Sequence, residues 1–158
     1  MTQSKEIWRK ASILAIAGGL AFCAATFAIS LTPIAAEYRD ALSISYLPMI
    51  VASLIGGLII GFFVSYFLLR FFDKIPTKNP ILKSGILSFI VLIIVAILLE
   101  GPSYFLTPTS DTLRYFLIST LFNVLRFLAL GIVIGYLHKR LYKGFNPSVI
   151  ASKSPQVE

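Results

Sequence analysis

The sequence predicts an all-α integral membrane protein, a four-transmembrane-helix bundle with both termini in the cytoplasm. Three observations predict it. Hydrophobic residues make up 57% of the 158 residues, and the mean hydropathy is +0.86, a balance that belongs in lipid and excludes a water-soluble domain. The uncharged runs Ser12 to Ala36, Ala41 to Leu69, Ser84 to Leu99, and Tyr115 to Leu137 with Arg126 as its one interruption, have the lengths of membrane crossings once their flanks are included. The positive residues alternate from one end of these runs to the other. Lys5, Arg9 and Lys10 precede the first run, Arg70, Lys74, Lys78 and Lys83 surround the second connection, and Lys139, Arg140, Lys143 and Lys153 follow the fourth. The other two connections carry only Arg39 and Arg114, so the positive-inside bias puts both termini and the second connection in the cytoplasm.

Helices are expected over about residues 9–33, 46–70, 80–100 and 112–138, forming a single domain over 1–145, with 146–158 as a flexible cytoplasmic tail. Backbone polar groups cannot remain open in hydrocarbon, so each run reads as helix even where Val, Ile and Phe would favour strand in water. Ala11, Ala15, Gly19 and Cys23 recur every four residues in the first helix and offer a narrow face for a neighbour. Thr32 and Pro33 mark its outer end, and 35–46 holds a short interfacial turn or helix. A competing description takes the basic leader and first run as a signal peptide, with Ile34-Ala35-Ala36 as its cleavage sequence. The nineteen residues from Ile13 to Leu31 exceed the usual apolar core of about 7–15 residues, which favours a retained helix.

The second run would be about 42 Å long if wholly helical, so it must tilt, bend or begin along the interface, with Pro48 at the bend or start. Ser53, Gly57, Gly61 and Ser65 form a second small-residue ladder, whose favoured partner is another helix of the same chain. Asn79 before Pro80 reads as a helix cap, and Gly101-Pro102 as a stop. In the fourth helix, Ser110 or Asp111 can cap, Ser119, Asn123 and Arg126 share one sector, and Gly131 and Gly135 lie opposite it for close packing.

Arg126 is the residue that asks most for a reason, because a guanidinium at mid-membrane depth is costly. Glu100 is its nearest candidate partner: counting helical rise from Lys83 and from His138 puts the two charges about 8 Å apart along the membrane normal. The intramembrane polar network is therefore Glu100, Ser119, Asn123 and Arg126. In a dry core it only specifies assembly. Facing a cavity, it could bind an anion, a lipid headgroup or a substrate carboxylate.

The net charge of +7 does not point to nucleic acid, because topology accounts for where the positive residues sit. Lys139, Arg140 and Lys143 can contact anionic lipid headgroups. The chain has one cysteine and one histidine, so an internal disulfide is impossible, His138 at the cytoplasmic boundary reads as an interfacial residue rather than a metal or haem ligand, and a haem held between two histidines would require another chain. No phosphate-binding glycine loop, HExxH motif or nucleophile elbow occurs. No catalytic residue, metal or cofactor is expected. The leading reading is a small structural or accessory subunit of a membrane complex, in a heteromer or homo-oligomer, acting by helix packing. The alternative is a small transporter or channel that handles an anionic solute or lipid headgroup through Asn123 and Arg126.

Overall fold

The computed structural model describes residues 2–72, 75, 77, 79–100 and 111–142. Their regular elements are all helices, with no strand among them: α1 (Thr2–Ser30), α2 (Pro33–Ala41), α3 (Tyr46–Arg70), α4 (Pro80–Val95) continued by a π-helical turn (Ala96–Glu100), and α5 (Thr112–Leu141). Four of these helices are long and apolar enough to cross a membrane. Residues 146–158 and the stop at Gly101-Pro102 lie outside the described residues.

The observed boundaries depart from expectation at both ends of α1 and at the end of α5. α1 begins near Thr2 and ends at Ser30, several residues before Pro33. Thr32 opens a new helix: its backbone is extended, its side chain accepts from the Ala35 N–H at 3.3 Å, and Pro33 takes the first turn where no N–H is needed. α3 starts at Tyr46 as expected, and Pro48 sits in its first turn, at the helix start, the second of the two places foreseen for it. α5 runs to Leu141. At its other end Asp111 holds the cap position without a side-chain hydrogen bond. Asn79 caps α4 as expected, its Oδ1 accepting from Ile81 N–H at 3.1 Å. Between α2 and α3 the chain reverses at Ser43, the one non-glycine positive φ among the described residues, at 52°, while Ile44 N–H bonds the Arg39 carbonyl at 2.9 Å.

The described ends of α1 and α5 share one end of the bundle, here the basic end, with the α3–α4 connection, and α2 closes the other. α1 packs against α3 and α5, and α5 against α4; α3 and α4 touch more sparsely. The α1–α3 and α4–α5 contacts are made at backbone distance because glycine stands where a side chain would not fit. A Cβ on Gly19 would lie 2.9 Å from the Leu58 nitrogen; on Gly57, 3.0 Å from the Phe22 Cβ and 3.1 Å from the Gly19 carbonyl; on Gly61, 3.0 Å from the Ala15 carbonyl. The two sequence ladders thus face each other, with Ser53 and Ser65 buried at the two ends of the α3 row. α5 docks on α4 in the same way: a Cβ on Gly131 would meet the Ser88 Oγ at 2.8 Å, and one on Gly135 the Ile81 Cα at 2.5 Å. Gly18, outside either ladder, lets α1 approach Ile134 of α5.

Leu14, Phe22, Val64, Leu68, Leu92, Phe127, Leu130 and Ile134 form the central core. Around them the usual sorting of a soluble protein is inverted. α4 buries Lys83, Ser84 and Ser88 beside a single leucine, while Ile90, Ile93, Ile94, Ile97 and Leu98 are exposed. α3 buries serine and glycine and exposes Ile55, Ile59 and Phe63. Small residues inward and large apolar residues outward is the arrangement that lipid rewards, since hydrocarbon solvates leucine as well as a core does.

Candidate functional site

At the α2 end, Arg126 is half-buried on α5, and its Nη1 donates to the Asn123 Oδ1 at 3.1 Å. One helical turn separates the two residues, so a guanidinium and an amide on one face meet without help from elsewhere. Asn123 is only 8% exposed, and fixing its oxygen on the arginine removes one unsatisfied acceptor from the interior. Ser119, in the same sector, is half-buried and does not line the cleft described next. The Glu100 side chain lies outside the described residues, and so the expected Glu100–Arg126 contact does too.

Arg126 lines a small cleft with Phe122 of α5, Thr26 and Ser30 of α1, and Tyr38 and Arg39 of α2. The α2 contribution cannot be read from helix periodicity, because it arises from a segment folded back across the bundle. Contacts of Glu37, Tyr38 and Arg39 hold α2 there. Glu37 pairs with Arg114 at 2.7 Å, and Tyr38 packs edge-on against Tyr115 and Phe122, with centroids 6.1 and 5.9 Å away. The ion pair is exposed on both sides and contributes at most about 1 kcal/mol, so the aromatic contacts carry more of the docking. Arg39 Nη1 donates to the Ser30 carbonyl at 3.0 Å, and its guanidinium lies 5.4 Å from the centre of the Tyr46 ring.

The donors and acceptors in this cleft are unequal. Thr26 Oγ1 donates to the Phe22 carbonyl at 3.0 Å and Ser30 Oγ to the Phe27 carbonyl at 2.6 Å, with the Tyr46 hydroxyl 3.5 Å from the Ser30 Oγ. With its one proton committed, such a hydroxyl can otherwise only accept, and a guanidinium can only donate. With a volume of about 20 Å³, the cleft has room for one or two waters bridging these groups, or for one edge of an oxyanion.

The basic end contains a second constellation that sequence reasoning took for boundary residues. Lys83 is 4% exposed, its ammonium donating to the Phe72 carbonyl and lying 3.7 Å from the centre of the Phe72 ring. Lys83 therefore does not face solvent at the second connection: it closes the chain leaving α3. Phe72 in turn stacks on His138, centroids 5.0 Å apart and planes 24° apart; His138 packs on Tyr142 at 5.5 Å, and Lys10 sits 4.9 Å above the Tyr142 ring. Burial pushes the Tyr142 phenol above its ordinary range, so it is neutral at physiological pH. The one signal in the sequence was the phase of α4, in which Lys83 falls beside Ser84 and one turn before Leu87, and that phase does not say which face is inward.

Lys139 and Arg140 are exposed at this end, and Lys143 lies outside the described residues. Trp8 packs on Phe62 and Tyr66, at 5.2 and 6.0 Å, in an aromatic cluster half open to the surroundings. Among the described residues no group of His, Cys, Asp and Glu could hold a metal ion. No protein-family model, curated protein or solved structure matches this chain.

Proposed function

We propose that this chain is a small multi-pass membrane protein, both termini cytoplasmic, that acts as a structural or accessory subunit through its helix surfaces rather than by catalysis. The glycine interlock carries the reading. A solute path between α1 and α3, or between α4 and α5, would require those helices to part, and both pairs meet at backbone distance through Gly19, Gly57, Gly61, Gly131 and Gly135. Helices locked this closely behave as one rigid element, and the outward isoleucines, leucines and phenylalanines are left for lipid or for another membrane subunit. The clustering of Lys5, Arg9, Lys10, Lys139 and Arg140 at the basic end supports its cytoplasmic orientation. Native extraction in a lipid-preserving medium, with mass spectrometry of everything retained, tests the proposal. Different subunits in stoichiometric amounts are the expected result. A monomer or homo-oligomer carrying a reproducible small ligand would overturn it.

A second reading, handling of an anionic solute or lipid headgroup, is favoured by one observation: Arg39 and Arg126 line the same cleft. On that reading Arg126→Gln leaves an assembled protein that transports less, with the loss depending on solute charge. Full transport by an assembled Arg126→Gln protein would remove Arg126 from any such role.

A further inference from the structure

The basic end brings together side chains from all four long helices or their immediate ends: Lys10 of α1, Phe72 just after α3, Lys83 of α4, and His138 and Tyr142 at the end of α5. They alternate in kind. An ammonium lies on a ring at each end of the row, and the single imidazole of the chain lies between the two rings. The His138 Nδ1 is buried without a hydrogen-bond partner among the described residues.

We propose that His138 is a proton-binding site whose occupancy decides whether this row holds the four helix ends together. With the proton on Nε2, a neutral imidazole leaves at Nδ1 only a lone pair without a donor. A proton added there creates a buried N–H without an acceptor, the more costly of the two omissions, and a charge as well. The flanking rings would ordinarily welcome a cation. Here the Phe72 face is already engaged by Lys83 and the Tyr142 face by Lys10.

Among the described residues, the charges around the imidazole do not compensate it. α4 contributes Lys83, and α1 contributes Lys10, whose partner Glu6 is 2.6 Å from that ammonium and already committed to it. The end of α3 contributes an uncharged ring. On α5 itself, Lys139 and Arg140 are exposed and positive. Protonation therefore loosens the row, and neutral His138 keeps it closed.

Because the chain has one histidine, protein purified without a histidine tag and labelled at histidine gives one imidazole signal to follow by NMR, alongside the Tyr142 ring signals and the melting temperature. Scanned from about pH 8 to pH 5, the imidazole is expected to give a single titration, with the Tyr142 signals moving with it and the melting temperature falling as the pH is lowered toward its midpoint. Lys10→Met, which removes one flanking ammonium, should raise that midpoint. His138→Phe keeps a ring but binds no proton, and should lose the melting step. Titration without movement of the Tyr142 signals, no titration in this window, or a melting step that survives in His138→Phe would each overturn the proposal. Should His138→Phe fail to fold, the labelled wild-type protein and Lys10→Met decide the matter alone.

Discussion

Gly61→Leu is expected to keep α1 and α3 from closing, whereas Gly56→Leu, on the same helix, should leave the melting temperature unchanged. The contrast follows from what the new side chain meets. At Gly61 even the first carbon would lie 3.0 Å from the Ala15 carbonyl oxygen and 3.4 Å from the Ala15 Cα; at Gly56 nothing lies within 4 Å. A backbone cannot rotate aside as a side chain can, so the helices must separate along much of their shared length. Overpacking a core costs about 1–3 kcal/mol where neighbours can adjust, and here the loss should exceed about 3 kcal/mol because the neighbour is main chain. Hydrocarbon already solvates the leucine, so burying it returns little. Folded yield and thermal unfolding in mild detergent measure the difference. Gly135→Ala provides an intermediate step, since its Cβ would lie 2.5 Å from the Ile81 Cα. Equal stability of the Gly61→Leu and Gly56→Leu proteins would mean that α1 and α3 do not meet as described.

Lys83→Met is expected to destabilise the protein by about 1 kcal/mol, the low end of the range for a carbonyl left without its donor, because the Phe72 carbonyl lies in a part-buried bond. Methionine preserves the length and apolar stem of lysine but cannot donate to the Phe72 carbonyl, and it removes the cation from the Phe72 ring. Removing a charge so nearly buried would normally relieve a desolvation cost. The orphaned carbonyl outweighs that relief because the Lys83 ammonium lies at the end of the bundle and not at its centre. Lys139→Met, at an exposed position on α5, should change the melting temperature little. If the two variants melt alike, Lys83 is a topology marker and nothing more.

Much of the architecture was legible because lipid imposes simple rules. Four apolar runs had to be helices, and the Asn79 cap before Pro80 was readable because it depends on residues adjacent in sequence. The Ser53, Gly57, Gly61 and Ser65 row was visible as a face, and so were Gly131 and Gly135. Other features left only partial traces. The α4 row of Ser84 and Ser88, both fully buried, was hidden among large apolar residues whose exposure in lipid carries no penalty. Gly18 was passed over because the four-residue spacing drew attention to Gly19, whereas α1 uses adjacent glycines to approach two different helices. Asn123 and Arg126 were readable as a pair, since one turn of helix places them together. Arg39 was not, because only the fold of α2 brings it to the same cleft.

The sequence by itself determined the helices, their number and the small-residue faces, since these follow from hydrocarbon thickness, backbone hydrogen bonding and residue size, all acting within one segment. Only the tertiary structure decided which faces meet, that Lys83 turns inward, that α2 covers the Arg126 end, and that His138 lies between two aromatic rings. Those outcomes depend on how each helix is rotated about its axis. In a bilayer the hydrophobic effect does not choose that rotation, so it is set by close contact between neighbours far apart in the chain.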